Sequence, residues 1–320
     1  MALALICIAW LHLGTLVLTT MFGYFAIRRF SFGGRKWLGV ILYLVVVVAI
    51  FTGLFYFSRQ AYITFPKIAN TTIPVVADMA AKQGFELPFT DFESFRIVVL
   101  EQIGEKFGNF GRYAGGMVVQ FALLIIGLVV AVSMFLNSKW EMDDDPLMPK
   151  NNLYASVVSE LTIRFRTFYE SFAIVVGAQI IISTFNAVFT AVFLVWNDFP
   201  YLLVLIVATF LCGLLPIIGN IMSNTLIVGV GLTISPKLAI IALLYLVVIH
   251  KLEYFLNSKI IGNRIKNPMW LTLIGIVVGE KLMGIPGMIL APVVLHYIKT
   301  EASRNRVELI APSSTEMQVK

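Results

Sequence analysis

His250, Glu253 and Asn257 stand three and four residues apart in one apolar stretch, which places them on one face of a helix. A carboxylate beside an imidazole and a side-chain amide can bind a cation, take up a proton or hydrogen-bond a polar solute. Ionisable groups inside a membrane span generally face the interior and mark a path for solute or ion. Glu253 has two such readings, pairing with His250 or exchanging a proton. A third reading is an interfacial polar cluster, because the stretch approaches the end of its apolar run beside Lys251 and Lys259, whose long stems can snorkel.

A second kind of chemistry lies in the backbone. Residues 211–224 read LCGLLPIIGNIMSN and residues 282–294 read LMGIPGMILAPVV. Each places Gly, Pro and Gly inside a long apolar run: Gly213, Pro216 and Gly219, then Gly284, Pro286 and Gly287. Proline removes a backbone donor and clashes with the preceding turn, and glycine loosens the chain. Together they predict a helix opened at membrane depth, where freed amides and carbonyls survive only against protein or a water-filled cavity. Paired interruptions of this kind point to the binding site of a transporter. Asn220 and Asn224 follow the first, and Glu280 and Lys281 precede the second. The plainer reading is two kinked helices. Gln179, Asn186, Gln120 and His12 read as hydrogen-bonding contacts between helices, and Gly275 with Gly279 as a site of close helix approach.

The elements that hold these groups follow from composition. The chain has 320 residues, 59% hydrophobic and 13% charged, with a mean hydropathy of +0.88. A soluble domain carries about 25% charge, so lipid is the solvent that fits, and the bilayer is the first partner. The net charge of +6 matches an excess of Lys and Arg on the cytoplasmic side rather than a nucleic-acid footprint. Cys7 and Cys212 lie in apolar runs and read as buried packing, not a disulfide. The first apolar run ends at Arg28-Arg29 and reads as a retained span rather than a signal peptide. A phosphate loop, a zinc-protease HExxH and a G-x-S-x-G elbow do not occur. The expectation is therefore no enzyme, no catalytic residue, no cofactor and no metal site.

Apolar runs near 3–27, 37–57, 115–136, 172–196, 201–218, 237–256 and 270–298 predict an all-α polytopic membrane helix bundle. It would have about seven to eight membrane segments, some broken or re-entrant, plus amphipathic surface helices. The expected organisation is an N-terminal helix pair (1–57), an extracytoplasmic amphipathic segment (58–114) and a membrane helix (115–136). A cytoplasmic amphipathic segment (137–171), a C-terminal transport core (172–298) and a polar tail (299–320) follow. Phe92, Phe95, Val99, Ile103, Phe107 and Phe110 predict one amphipathic helix, and Leu153, Val157, Leu161, Phe165 and Phe168 another. Arg28, Arg29, Arg35 and Lys36 place the first connection in the cytoplasm.

The order of GLLPIIGN, HKLEYFLNSKIIG and NPMWLTLIGIVVGEKLMGIPGMILAPVV resembles the autoinducer-2 exporter family of bacterial inner-membrane proteins. The matching positions are Pro216 and Gly219, then Glu253, Asn257 and Gly262, then Gly284, Gly287, Met288 and Pro292, over roughly residues 150–300. The chain departs at Ser258-Lys259, where the family often has proline, and one N-terminal helix is missing or merged. The resemblance implies a multi-pass inner-membrane carrier with about eight membrane segments. It exports a small polar solute such as the autoinducer-2 signal, or exchanges sodium or lithium for protons, in a homo-oligomer such as a pentamer. A non-transporting structural membrane protein is the remaining alternative. The solute or ion pathway is expected at Pro216, Gly219, Asn220, Asn224, His250, Glu253, Asn257, Glu280, Gly284, Pro286 and Gly287.

Overall fold

The computed structural model describes residues 2–31, 35–85, 87–97, 110–137, 152–215, 218–261 and 268–304. Among them lie ten helices of nine residues or more: α1 (Ala2–Trp10), α2 (Gly14–Phe30), α3 (Lys36–Lys82), α4 (Phe110–Leu136), α5 (Leu153–Trp196), α6 (Leu202–Gly213), α7 (Ile218–Ile234), α8 (Pro236–Ile261), α9 (Met269–Met283) and α10 (Ile285–Ala302). Three are long and apolar enough to cross a membrane: α3, the 116–136 part of α4, and α5.

Several expected boundaries move. The span and the segment predicted to part at 57/58 form one 47-residue helix, α3, with Pro66 and Pro74 inside it. At about 70 Å it exceeds a hydrocarbon core of about 30 Å, so it tilts or projects. The amphipathic run from Leu153 and the span at 172–196 likewise fuse into the 44-residue α5. No proline interrupts α5, and its start is capped by Asn152, whose Oδ1 accepts the amide of Ala155 at 2.7 Å. Hydropathy windows divide such helices because the apolarity ends where the membrane does, while the backbone pattern continues. The run at 3–27 is two helices, and so is the run at 270–298. Helix α7 lies between two predicted spans. Residues 92–97 are helical, and the rest of the amphipathic helix predicted to Phe110, from 98 to 109, lies outside the described residues.

Helix α5 is the spine. Toward its C-terminal end Phe193 and Leu194 pack with Leu205, Ile227, Ala242 and Leu246 of α6, α7 and α8. Toward its N-terminal end Phe168, Phe172 and Val176 pack with Met21 of α2 and with Leu290, Val293 and Tyr297 of α10. Helix α10 runs antiparallel to α5. Arg304 Nη1 donates to Thr167 Oγ1 at 2.8 Å, Arg164 pairs with Glu301 at 3.1 Å, and the Phe168 and Tyr297 rings meet edge to face at 5.6 Å. Arg28 lies over the Tyr169 ring at 5.8 Å, so the basic residues in the last turn of α2 and after α10 share one end of the molecule.

This register fixes the depth of the helix breaks. Gly284 lies thirteen residues before Tyr297, a rise of about 20 Å, and Ser183 lies fifteen beyond Phe168, about 22 Å. The tip of the α9–α10 hairpin thus stands near the level of Ser183. At the end of α6, Gly213 packs against the same residue, since a Cβ there would lie 2.9 Å from Ser183 Oγ. The α1–α2 junction joins this level too, because a Cβ at Gly14 would lie 3.0 Å from Met283 and 3.2 Å from Pro286. Three helix interruptions therefore fall in one layer of the bundle.

Candidate polar site among three helices

The break between α6 and α7 sets Asn220 in the first turn of α7, with Asn224 one turn on. Gly219 permits the turn, because a Cβ at that position would overlap the carbonyl oxygen of Cys212. Helix α8 presents His250 and Glu253 from the facing side, and α5 presents Asn186.

These five side chains make one network. Asn220 Nδ2 donates to both carboxylate oxygens of Glu253, at 3.2 and 3.1 Å. Asn186 Nδ2 donates to Glu253 Oε2 at 3.1 Å. Asn224 Nδ2 lies 2.7 Å from His250 Nε2, and His250 Nδ1 lies 3.4 Å from Glu253 Oε2. With Asn224 donating to Nε2, the imidazole carries its proton on Nδ1 and donates toward the carboxylate. An imidazolium would fit the same place with the Asn224 amide turned so that its oxygen faces Nε2. The Glu253 side chain is 15% exposed and that of His250 34%, so the pair is sheltered yet reachable.

Glu253 is not at the end of its helix. Helix α8 continues to Ile261, eight residues or about 12 Å further than Glu253, which weakens the interfacial reading. Its partner Asn186 is buried three residues beyond Ser183 on α5. A carboxylate so sheltered is costly unless it is hydrogen-bonded, and the two asparagines donate to it. Nearby, Gln179 Nε2 donates to the carbonyl of Gly213, an orphan acceptor at the end of α6. Ser183 Oγ is buried without a hydrogen-bond partner among the described residues.

The other sequence-predicted residues distribute as follows. Asn257 lies in α8, and its side chain is outside the described residues, as are Pro216 and Gly262. Glu280 is exposed, 3.6 Å from Lys281, and does not join the Glu253 network. Gly284 forms the α9–α10 turn with φ 65°. Gly287 is buried against the backbone of Gly279, where a Cβ on either would overlap the other's carbonyl. Pro286 packs on the start of α2. A cavity of about 370 Å³ beside this second hairpin is lined wholly by apolar residues and glycine, among them Leu5, Val17, Val278, Leu282 and Leu295.

Asn186 was legible only as a helix contact. Its seven-residue spacing from Gln179 marked the right face, but nothing local tied it to α8. Gln120 bonds Thr15 across α2 and α4, as a packing contact should. Cys212 is half-buried, whereas Cys7 faces outward, contrary to the packing reading, and both are free thiols.

Three apolar helices of membrane length, one of which, α5, joins α7 and α8 around a sheltered polar cluster, are the features of a multi-pass membrane protein. The family model described as "AI-2E family transporter" matches residues 5–303, and the chain belongs to that family. It is also similar to a protein of Bacillus subtilis (strain 168) named "Putative transport protein YdbI", 25% identical over 172 residues. That match covers 53% of this chain and 49% of the relative, so the chain spans about half the length of the curated relative it matches.

Proposed function

We propose that this protein is a secondary carrier that moves a small polar solute past the Glu253 cluster, exporting it across the bacterial inner membrane. The observation that carries this reading is the pair of Asn220–Glu253 hydrogen bonds, which join the first turn after a helix break to a sheltered carboxylate on another helix. Family membership supports transport as the activity. An autoinducer-2-like, hydroxyl-rich solute suits a site built from amides, an imidazole and a carboxylate, because each can exchange a bond within the network for one to the solute. Asn220, Asn224, His250 and Glu253, with Asn186, contact the solute. Asn257 extends the same helix face, Pro216 and Gly219 shape the first break, and Gly284, Pro286 and Gly287 shape the second, with Glu280 beside it. The working form is a homo-oligomer such as a pentamer.

A second reading is favoured by one observation, the Glu253–His250 contact within the bundle. It is exchange of sodium or lithium for protons, with Glu253 alternating between the two. Proteoliposomes loaded with a pH-sensitive dye test both readings. Solute-dependent flux that Glu253→Ala removes supports the carrier. Proton movement on adding sodium alone supports antiport. Wild-type vesicles inert to both would refute transport and leave a structural role.

A further inference from the structure

The turn between α1 and α2 is built in an uncommon way. Leu13 N–H reaches the carbonyl of Ile8 at 2.9 Å and His12 N–H that of Ala9 at 3.1 Å, the two bonds of a Schellman helix end. The residue at the left-handed position of this motif is usually glycine. Here it is His12, with φ 52°. A side chain at that position is strained, and backbone outliers of this kind persist where the surroundings hold them.

The imidazole explains the choice. His12 Nδ1 lies 3.2 Å from the carbonyl oxygen of Leu282. Within a continuous helix that carbonyl would accept the N–H of residue 286, four positions on. Residue 286 is proline and has no N–H. The neighbouring bonds of the turn are made by the chain itself: Gly284 N–H to Glu280 at 2.8 Å and Met288 N–H to Gly284 at 3.1 Å. Helix α9 ends at Met283, where Gly284 leaves the helix, so the Leu282 carbonyl is a last-turn acceptor without an intrahelical donor. Pro286 beyond the turn has no N–H to offer, and His12 supplies one from another element. Gly14, two residues on, lets the start of α2 close onto Met283 and Pro286.

We propose that His12 is a positioning residue that supplies a donor to the last-turn carbonyl of Leu282 and latches the α1–α2 junction to the tip of the α9–α10 hairpin. These four helices then move as one body relative to α6, α7 and α8. This last consequence rests on the carrier reading, whereas the latch does not.

Hydrogen–deuterium exchange of the full-length protein in nanodiscs, read at the Gly284 and Met288 amides, tests the latch. His12→Ala keeps a side chain on the left-handed backbone and removes the donor. His12→Asn tolerates that backbone and keeps an N–H at a similar reach. Losing the hydrogen bond predicts exchange about fivefold faster in His12→Ala, with His12→Asn close to wild type. Unchanged exchange in His12→Ala, or equal acceleration in both variants, would overturn the latch. Solute flux should follow the same order, low in His12→Ala and restored in His12→Asn. Faster exchange with unaltered flux would overturn the coupling of the four helices. Wild-type vesicles without flux would instead defeat the carrier reading and leave the exchange result to decide the latch.

Discussion

The α6–α7 and α9–α10 hairpins share one sequence device and use it differently. Both open a helix with glycine and proline, and both reach the level of Ser183 on α5. In the first, the break turns side-chain amides inward onto Glu253. In the second, glycines let two backbones touch, the adjoining cavity is apolar, and Glu280 and Lys281 face outward. The same pairing of glycine and proline thus marks a polar site in one place and a packing joint in the other. The residues that follow the break on the facing helices decide which.

The largest effects expected are at the backbone contacts, where neither hairpin can give way. Gly219→Ala and Gly287→Ala each place a Cβ within a neighbouring carbonyl, of Cys212 and Gly279 respectively. Each should destabilise the protein by about 1–3 kcal/mol or more, in line with overpacking that moves backbone, and lower its melting temperature in detergent. Unaltered melting in both would mean that the hairpins are loosely closed. Glu253 separates the two hairpins on function. Glu253→Ala leaves the amides of Asn186 and Asn220 without their acceptor and should cost about 1–3 kcal/mol together with most of the flux. Glu253→Gln should remain folded and lose any pH dependence of flux that arises from this carboxyl. Glu280→Gln, in the exposed pair, should change stability by under about 1 kcal/mol and leave flux near wild type. Equal losses at Glu253 and Glu280 would erase the distinction between a polar and an apolar hairpin. The smallest effect belongs to Gly275→Ala. Its Cβ would press on Leu295 Cδ1, at 3.0 Å, the end of a side chain that can turn, and touch Ala291 Cβ at an ordinary 3.8 Å, so a melting shift of a degree or two suffices as the check.

Much of the site was legible because it is local. His250 and Glu253 share a helix face by spacing alone, Asn220 and Asn224 likewise, and the Gly/Pro pairs announce where helices part. The joining of those faces was not legible, since no spacing within α8 says that α7 and α5 lie across from it. Helix ends were misjudged for a physical reason. Apolarity reports where lipid ends, as at residue 57 of α3, whereas hydrogen bonding carries the helix on to Lys82. The division at His12 was missed because its signal is a single residue in a left-handed backbone, and histidine does not advertise that conformation as glycine would.

Helix α5 has a mechanical consequence. Its exposed first turns and the level of Ser183 belong to one unbroken rod, thirty residues or about 45 Å apart. A tilt of about five degrees about Ser183 would swing the Leu153 end through about 4 Å, roughly one atomic diameter. Any protein that grips the stretch around Glu160 and Arg164 therefore holds a lever arm whose fulcrum is the layer where the helices part.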